Sequence, residues 1–166
     1  MANSVTIRPY EHGDRSALMH LMTQLQGHMQ HLDEHGAHRT LSDFDANKYV
    51  DATLRRVHEH SGIILLAFSE QHDVMGCIIG TTHSVSEDDL LHRLPVCEAK
   101  INEMIVAEDH RGKQVGENMI RTIEQYFRKQ GCQTIRVGCF APNTAAHRFY
   151  HTLGYSDRLI ELVKKL

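Results

Sequence analysis

Apolar residues recur along the chain with two periods, and each switch of period marks an element. Val5–Pro9 reads as a short opening strand, closed by a proline that has no N–H for a sheet ladder. Asp14 stands where a helix cap is needed, and Leu18, Leu21, Met22 and Leu25 follow at helical spacing. Gly27 and Gly36 weaken that helix, whose end is expected between them. Ser42 with Asp45 three residues on marks a second start, predicting a helix from Asp43 to about His60 with Gly62 as its stop. Ile63–Phe68 and Val74–Thr82 read as strands joined by a polar turn, and a third strand covers Ala99–Val106. Arg111–Gly116 then leads into a helix with Met119, Ile120, Ile123 and Phe127 on its buried face, ended by Gly131. Thr134–Cys139 is a further strand, Asn143 caps a short helix through Thr152, and Leu159–Val163 is expected as a last strand.

The order is strand, two helices, antiparallel strands, then strand–helix–strand–helix–strand. It predicts one α/β domain over residues 1–166, with a mixed, mostly antiparallel sheet flanked by helices. No repeat or low-complexity tract divides it.

Composition narrows the class. A net charge of −3 argues against a broad basic surface, so no nucleic-acid partner is expected. No apolar run approaches the ~20 residues that span a bilayer, so no membrane partner is expected either. Cys77, Cys97, Cys132 and Cys139 form no C-x-x-C pair, and nothing at Met1–Val5 resembles a secretory signal, so none is expected. Reduced thiols in a cytoplasmic protein are the expectation.

The chemistry concentrates where the third strand runs into the following helix, through Arg111-Gly112-Lys113-Gln114-Val115-Gly116. The first turn of a helix leaves backbone N–H groups unpaired, and the helix dipole adds positive potential, so an anion is favoured there. Gly112 and Gly116 let a phosphate approach the backbone, and Arg111 and Lys113 add formal charge. The stretch is not a P-loop, because Gly116 is followed by Glu117 and Asn118, and it lacks the three glycines of a dinucleotide fingerprint. An ordinary glycine-bearing turn is the alternative.

This turn resembles motif A of the GNAT superfamily of N-acetyltransferases, Arg/Gln-x-x-Gly-x-Gly/Ala. It departs from that pattern at Gln114, a glutamine that glucosamine-6-phosphate acetyltransferases are similar in carrying. Downstream, Asn143-Thr-Ala-Ala-His-Arg-Phe-Tyr-His-Thr-Leu-Gly-Tyr155 resembles the second family signature, Asn-x-x-Ala-x-x-Phe-Tyr-x-x-x-Gly-Phe/Tyr, at every defined position. The resemblance covers Ile101 to the C-terminus; the N-terminal half agrees in element order only.

The resemblance implies a fold with a central splay for acetyl-coenzyme A. Met104, Ile105 and Val106 would pair with the pantetheine arm, and Arg111, Gly112, Lys113, Gln114, Val115, Gly116 and Glu117 would cradle the pyrophosphate. Asn143, Ala146, Phe149 and Tyr150 would line the cofactor arm. It also implies direct attack of a neutral amine on the thioester, with backbone N–H groups stabilising the oxyanion. Tyr150 is the candidate general acid, because a thiolate leaving group needs a proton and a phenol can supply it; the alternative is a core aromatic bonded to a backbone carbonyl. Glu103 is the candidate base, placed with Ile101 and Ile105 on one face by period two; the alternative is a strand carboxylate paired with a lysine or arginine.

The acceptor is expected to be a small-molecule amine. A protein or peptide amine, or a non-catalytic acetyl-coenzyme A sensor, are the other readings, and a homodimer is left open. The ending Arg158–Leu166 resembles aminoalkylphosphonate- and aminoglycoside-type members. Acidic loops, Asp33–Glu34 with Asp43 and Asp45, and Glu87–Asp88–Asp89, would favour a cationic acceptor if they border the acceptor side; the alternative is plain solvated surface. His28, His31, His35 and His38 could share a helical face, but a solvated polar face is the expectation and no metal is expected there or elsewhere in the chain; Cys139 has no histidine placed to activate it as a nucleophile.

Overall fold

The computed structural model describes residues 5–83 and 85–166. Strand β1 (Thr6–Pro9) leads into helices α1 (Arg15–Leu32) and α2 (Ala46–Glu59). Strands β2 (Ile63–Phe68), β3 (Val74–His83) and β4 (Glu98–Val106) follow, then α3 (Val115–Lys129), β5 (Thr134–Val137) and α4 (Thr144–Thr152). The sheet order is β1-β2-β3-β4-β5, antiparallel throughout except for the parallel pair β4–β5. The mixed, mostly antiparallel sheet flanked by helices is the one expected from the element order.

Both faces of the sheet are covered, which is why β2 and β3 read as unbroken apolar runs rather than alternating ones. Ile64, Leu66 and Phe68 face Leu18, Leu21 and Met22 of α1 and Val50 of α2. Leu65 and Ala67 face Val115, Met119, Ile120, Ile123 and Phe127 of α3.

The register of β4 against β3 contains one extra residue. Glu103 pairs with Ile79 and Ile101 with Gly80, so two steps along β4 match one along β3, and Asn102 is the bulge. An inserted residue reverses the facing of everything beyond it. Ile101 therefore packs with α3, while Ile105 packs with α1 and α2. Glu103 lies on the α2 side, bonded to Tyr49 and Arg56. The expectation that Ile101 shares a face with Glu103 is corrected; Ile105 does share it.

Helix α1 ends at Leu32, between Gly27 and Gly36 as expected, and Leu41 closes over Gly27 with a methyl 3.4 Å from where a Cβ would stand. Other boundaries move. Helix α2 starts at Ala46 rather than Asp43, since Asp45 is itself the cap and its carboxylate accepts from the Lys48 N–H at 3.0 Å. Strand β5 ends at Val137, short of the expected Cys139. The expected strand at Leu159–Val163 does not form: residues 156–166 carry no regular structure, and Leu159, Ile160 and Leu162 are exposed. Only β4 pairs with β5, so the tail joins no ladder, and Arg158 is held instead by the buried Glu98 carboxylate at 2.8 Å.

The cysteine expectation is also corrected. Cys97 and Cys132 form a disulfide across a separation of 35 residues, joining the chain before β4 to the chain before β5. Cys77 is a buried thiol and Cys139 an exposed one. Among the described residues no helix is long and apolar enough to cross a membrane.

Candidate active site

The site starts from a mismatch in strand length. β5 pairs with β4 only over Glu98–Ile101, opposite Thr134–Val137. From Glu103 to Val106, β4 keeps its β3 partner, but its other edge has left β5. The parallel strands part at the bulge, and backbone N–H and C=O groups of Met104 and Val106 border the fork. Unpaired strand edges accept an extended ligand as if it were another strand.

The turn after β4 brings the head of α3 to this fork. Arg111 Nε donates to the Val106 carbonyl at 3.3 Å, folding the turn back over the strand end. Gly112 has φ +74 and open space where a Cβ would be. Gln114, the residue before α3, has φ 61 and gives no side-chain cap, so it leaves the first-turn amides of Val115, Gly116 and Glu117 to other partners. Lys113 borders a small cavity with Glu70, Asp73 and His110, and Glu117 pairs with Arg121 at 2.6 Å.

Gly116 does more than leave room for a ligand. A Cβ there would stand 3.1 Å from Met104 Cε and 3.2 Å from Phe149 Cζ, and Val106 is next at 3.6 Å. The missing side chain lets α3 close onto β4 and α4, so Met104, Val106, Gly116 and Phe149 meet at one point. Tyr150 joins them: its hydroxyl donates to Met104 Sδ at 3.8 Å. A thioether is a weak acceptor, and no backbone carbonyl takes the role that a structural tyrosine would use. Burial pushes the Tyr150 phenol up to about 12, with a smaller contribution from nearby Cys139. The Tyr155 ring lies 5.6 Å from that of Tyr150, and its hydroxyl donates to Glu124 of α3 at 2.9 Å, bracing the aromatic pair.

Asn143 and Ala146 form the start of α4. The Asn143 carbonyl oxygen accepts from the Ala146 N–H at 3.1 Å, so the side chain caps the helix and only its amide NH2 remains to offer a ligand.

Glu103 sits on the opposite face of β4 from Met104, nearly buried at 9% exposure. Its Oε1 accepts from the Tyr49 hydroxyl and from Arg56 Nη2, each at 2.7 Å, while Oε2 is buried without a hydrogen-bond partner. Burial, with the adjacent Glu103 charge, holds the Tyr49 phenol protonated well above its ordinary range. The arginine pairing is the alternative already named for this carboxylate, and it coexists with one uncommitted oxygen. Tyr49 and Arg56 were missed in the sequence; with Val50 and Thr53 they form one face of α2 at helical spacing, a pattern that reads as packing.

Other sequence candidates disperse. Helix α1 ends at Leu32, so His35 and His38 leave the face that carries His28 and His31. His38 bonds Asp33 at 2.9 Å and stacks edge-on with Phe140 at 5.3 Å. Asp33, Asp43, Asp45 and Asp89 bond His38, Thr40, the Lys48 N–H and Ser86 respectively, so these acidic residues also serve as local turn and cap partners.

Residues 21–155 match the family model described as "Acetyltransferase (GNAT) family". No curated protein matches the sequence. Among solved structures, a mutant of the BH1408 protein from Bacillus halodurans is similar at 17% identity, covering 97% of this chain and 99% of that one with a TM-score of 0.81. A glucosamine-6-phosphate N-acetyltransferase from Arabidopsis thaliana is similar at 20% identity over 98% of both chains, TM-score 0.68. An aminoglycoside antibiotic 6'-N-acetyltransferase from Acinetobacter haemolyticus is similar at 13% identity over 97% and 99% of the two chains, TM-score 0.69. At these identities the likenesses bear on the fold.

Proposed function

The chain belongs to the acetyltransferase (GNAT) family, and from that premise we propose that it transfers an acetyl group from acetyl-coenzyme A to the primary amine of a small molecule. The observation that carries this reading is the Tyr150 hydroxyl, half-buried beside the open edge of β4 with the Met104 thioether as its acceptor. The fork and the head of α3 suit the cofactor. Met104, Ile105 and Val106 offer strand-like pairing to its pantetheine arm, and the amides of residues 112–117 offer donors to its pyrophosphate. Asn143, Ala146 and Phe149 flank that arm from α4.

Acetyl-coenzyme A supplies the activated acetyl thioester. The protein's own part is to manage two protons. Tyr150, kept neutral by burial, donates to the departing thiolate. Glu103 takes the proton that the attacking ammonium must lose, through Oε2 and a water, since Oε1 is held by Tyr49 and Arg56.

The decisive experiment measures thiol release from acetyl-coenzyme A with a panel that includes a polyamine, an aminoglycoside and an amino-sugar phosphate, alongside a thermal shift with acetyl-coenzyme A alone. A rise in melting temperature with the cofactor and turnover on one small amine are expected. The absence of any shift at millimolar cofactor would overturn the proposal. A shift without turnover on amines or peptides would leave a cofactor-binding sensor.

A further inference from the structure

His147 and His151 sit one turn apart on α4, and the tail folds back to bring Asp157 against them. His147 Nε2 is 2.7 Å from Asp157 Oδ1, His151 Nε2 is 3.1 Å from the same oxygen, and the two nitrogens are 3.2 Å apart. These three contacts cannot all be hydrogen bonds. An ionised carboxylate oxygen only accepts, so each nitrogen that bonds it must donate, and two donors cannot bond each other.

We propose that His147, His151 and Asp157 form a divalent transition-metal site whose natural occupant is Zn2+. A cation would satisfy all three atoms at once through their lone pairs. Ligand atoms about 2.0–2.2 Å from a zinc ion lie roughly 3–3.5 Å from one another, so the observed triangle needs to open by only a few tenths of an ångström. Two imidazoles and one carboxylate are the ligand types zinc takes, in a set that leaves coordination positions for water. Among the described residues, this is the cluster in which three such ligand atoms converge.

The backbone places the triangle from both sides. Histidines at i and i+4 share a helix face. Asp157 follows the Gly154 turn at φ +90, and its neighbour Arg158 is fixed on buried Glu98 at 2.8 Å. Zinc would therefore staple the tail to α4, the helix that also carries Tyr150 between the two histidines. The site is independent of the proposed acetyl transfer, because none of its ligands is assigned to the cofactor or the acceptor.

The test is calorimetric titration of Zn2+ into chelator-treated, dialysed protein, with Co2+ absorption as a spectroscopic check on ligand type. One ion per chain is expected, together with a higher melting temperature and slower tryptic cleavage after Arg158. The double variant His147→Gln/His151→Gln should weaken binding by more than about tenfold, since even outer-shell partners of a metal ligand are worth 10–100-fold. Because the parent chain has 14 histidines, His28→Gln/His31→Gln serves as the control and should bind as the parent does. Asp157→Asn, in the exposed tail, gives the same reading if the double variant folds poorly. No Zn2+ or Co2+ binding by the parent, or binding that survives in both 147/151 and 157 variants, would overturn the site.

Discussion

Helices α3 and α4 meet where Gly116 faces Phe149, yet they are built for different tasks. Helix α3 has 15 residues and buries Val115, Met119, Ile120, Ile123 and Phe127 against the sheet. Helix α4 has 9 residues and buries none, although it carries the more specific of the two sequence signatures. The first positions the strands; the second presents Phe149 and Tyr150 half-buried at the fork. A signature can therefore be densest where packing constrains least, because what it preserves is a set of groups facing a ligand.

The sharpest break in this comparison is Phe127→Ala. Phe127 is 1% exposed at the centre of the α3 cluster, and emptying such a site costs about 3–5 kcal/mol. The matching change on α4, Phe149→Ala, should cost nearer about 1 kcal/mol, the centre of the range for single substitutions. Urea denaturation of both variants measures the contrast; equal losses would show that α4 is as structural as α3.

Tyr150→Phe tests the opposite asymmetry. Removing one hydroxyl that bonds only a thioether should leave stability within about 0.5 kcal/mol. It should lower kcat by about a hundredfold, the low end for a positioned general acid, with the dissociation constant of acetyl-coenzyme A unchanged. The wild-type pH profile carries a second sign. A phenol pushed up to about 12 stays protonated well above neutrality, so Tyr150 imposes no alkaline loss of rate at moderately basic pH. A decline near the ordinary phenol value of about 10 that disappears in Tyr150→Phe would show that the phenol is not raised by burial, while leaving its role as the acid in place.

How much the sequence disclosed follows the same division. Helix α3 and the Asn143 cap were legible because helical period and capping chemistry are local, and the fork was implied by the family signature. The bulge at Asn102 was not, because period-two extrapolation assumes that no residue is inserted, and so Ile101 was placed on the wrong face. The partners of Glu103 were hidden for a related reason: Tyr49 and Arg56 lie 54 and 47 residues away, and only the docking of α2 on the sheet brings them to it. The Cys97–Cys132 bond spans two strand starts that no short-range motif connects. The tail misled because an apolar segment suggests a strand, whereas a strand also needs an edge to join.

The smallest expected effect lies at the head of α3, where the structural helix becomes part of the site. Gln114 occupies the left-handed region at φ 61, ψ 4, which costs a residue with a Cβ about 1 kcal/mol or more. Glycine removes that steric cost but adds backbone freedom to the unfolded chain, which offsets part of the gain. Gln114→Gly should therefore stabilise the protein by roughly 0.5–1 kcal/mol, read as a higher urea midpoint at unchanged slope. Its effect on cofactor affinity separates two accounts of the turn. If the pyrophosphate uses the backbone N–H groups at the head of α3, the dissociation constant of acetyl-coenzyme A should stay within about twofold, because those donors remain. A gain in stability with a tenfold loss of affinity would mean that the glutamine side chain itself holds the ligand, and the departure at this position would then be a contact of its own.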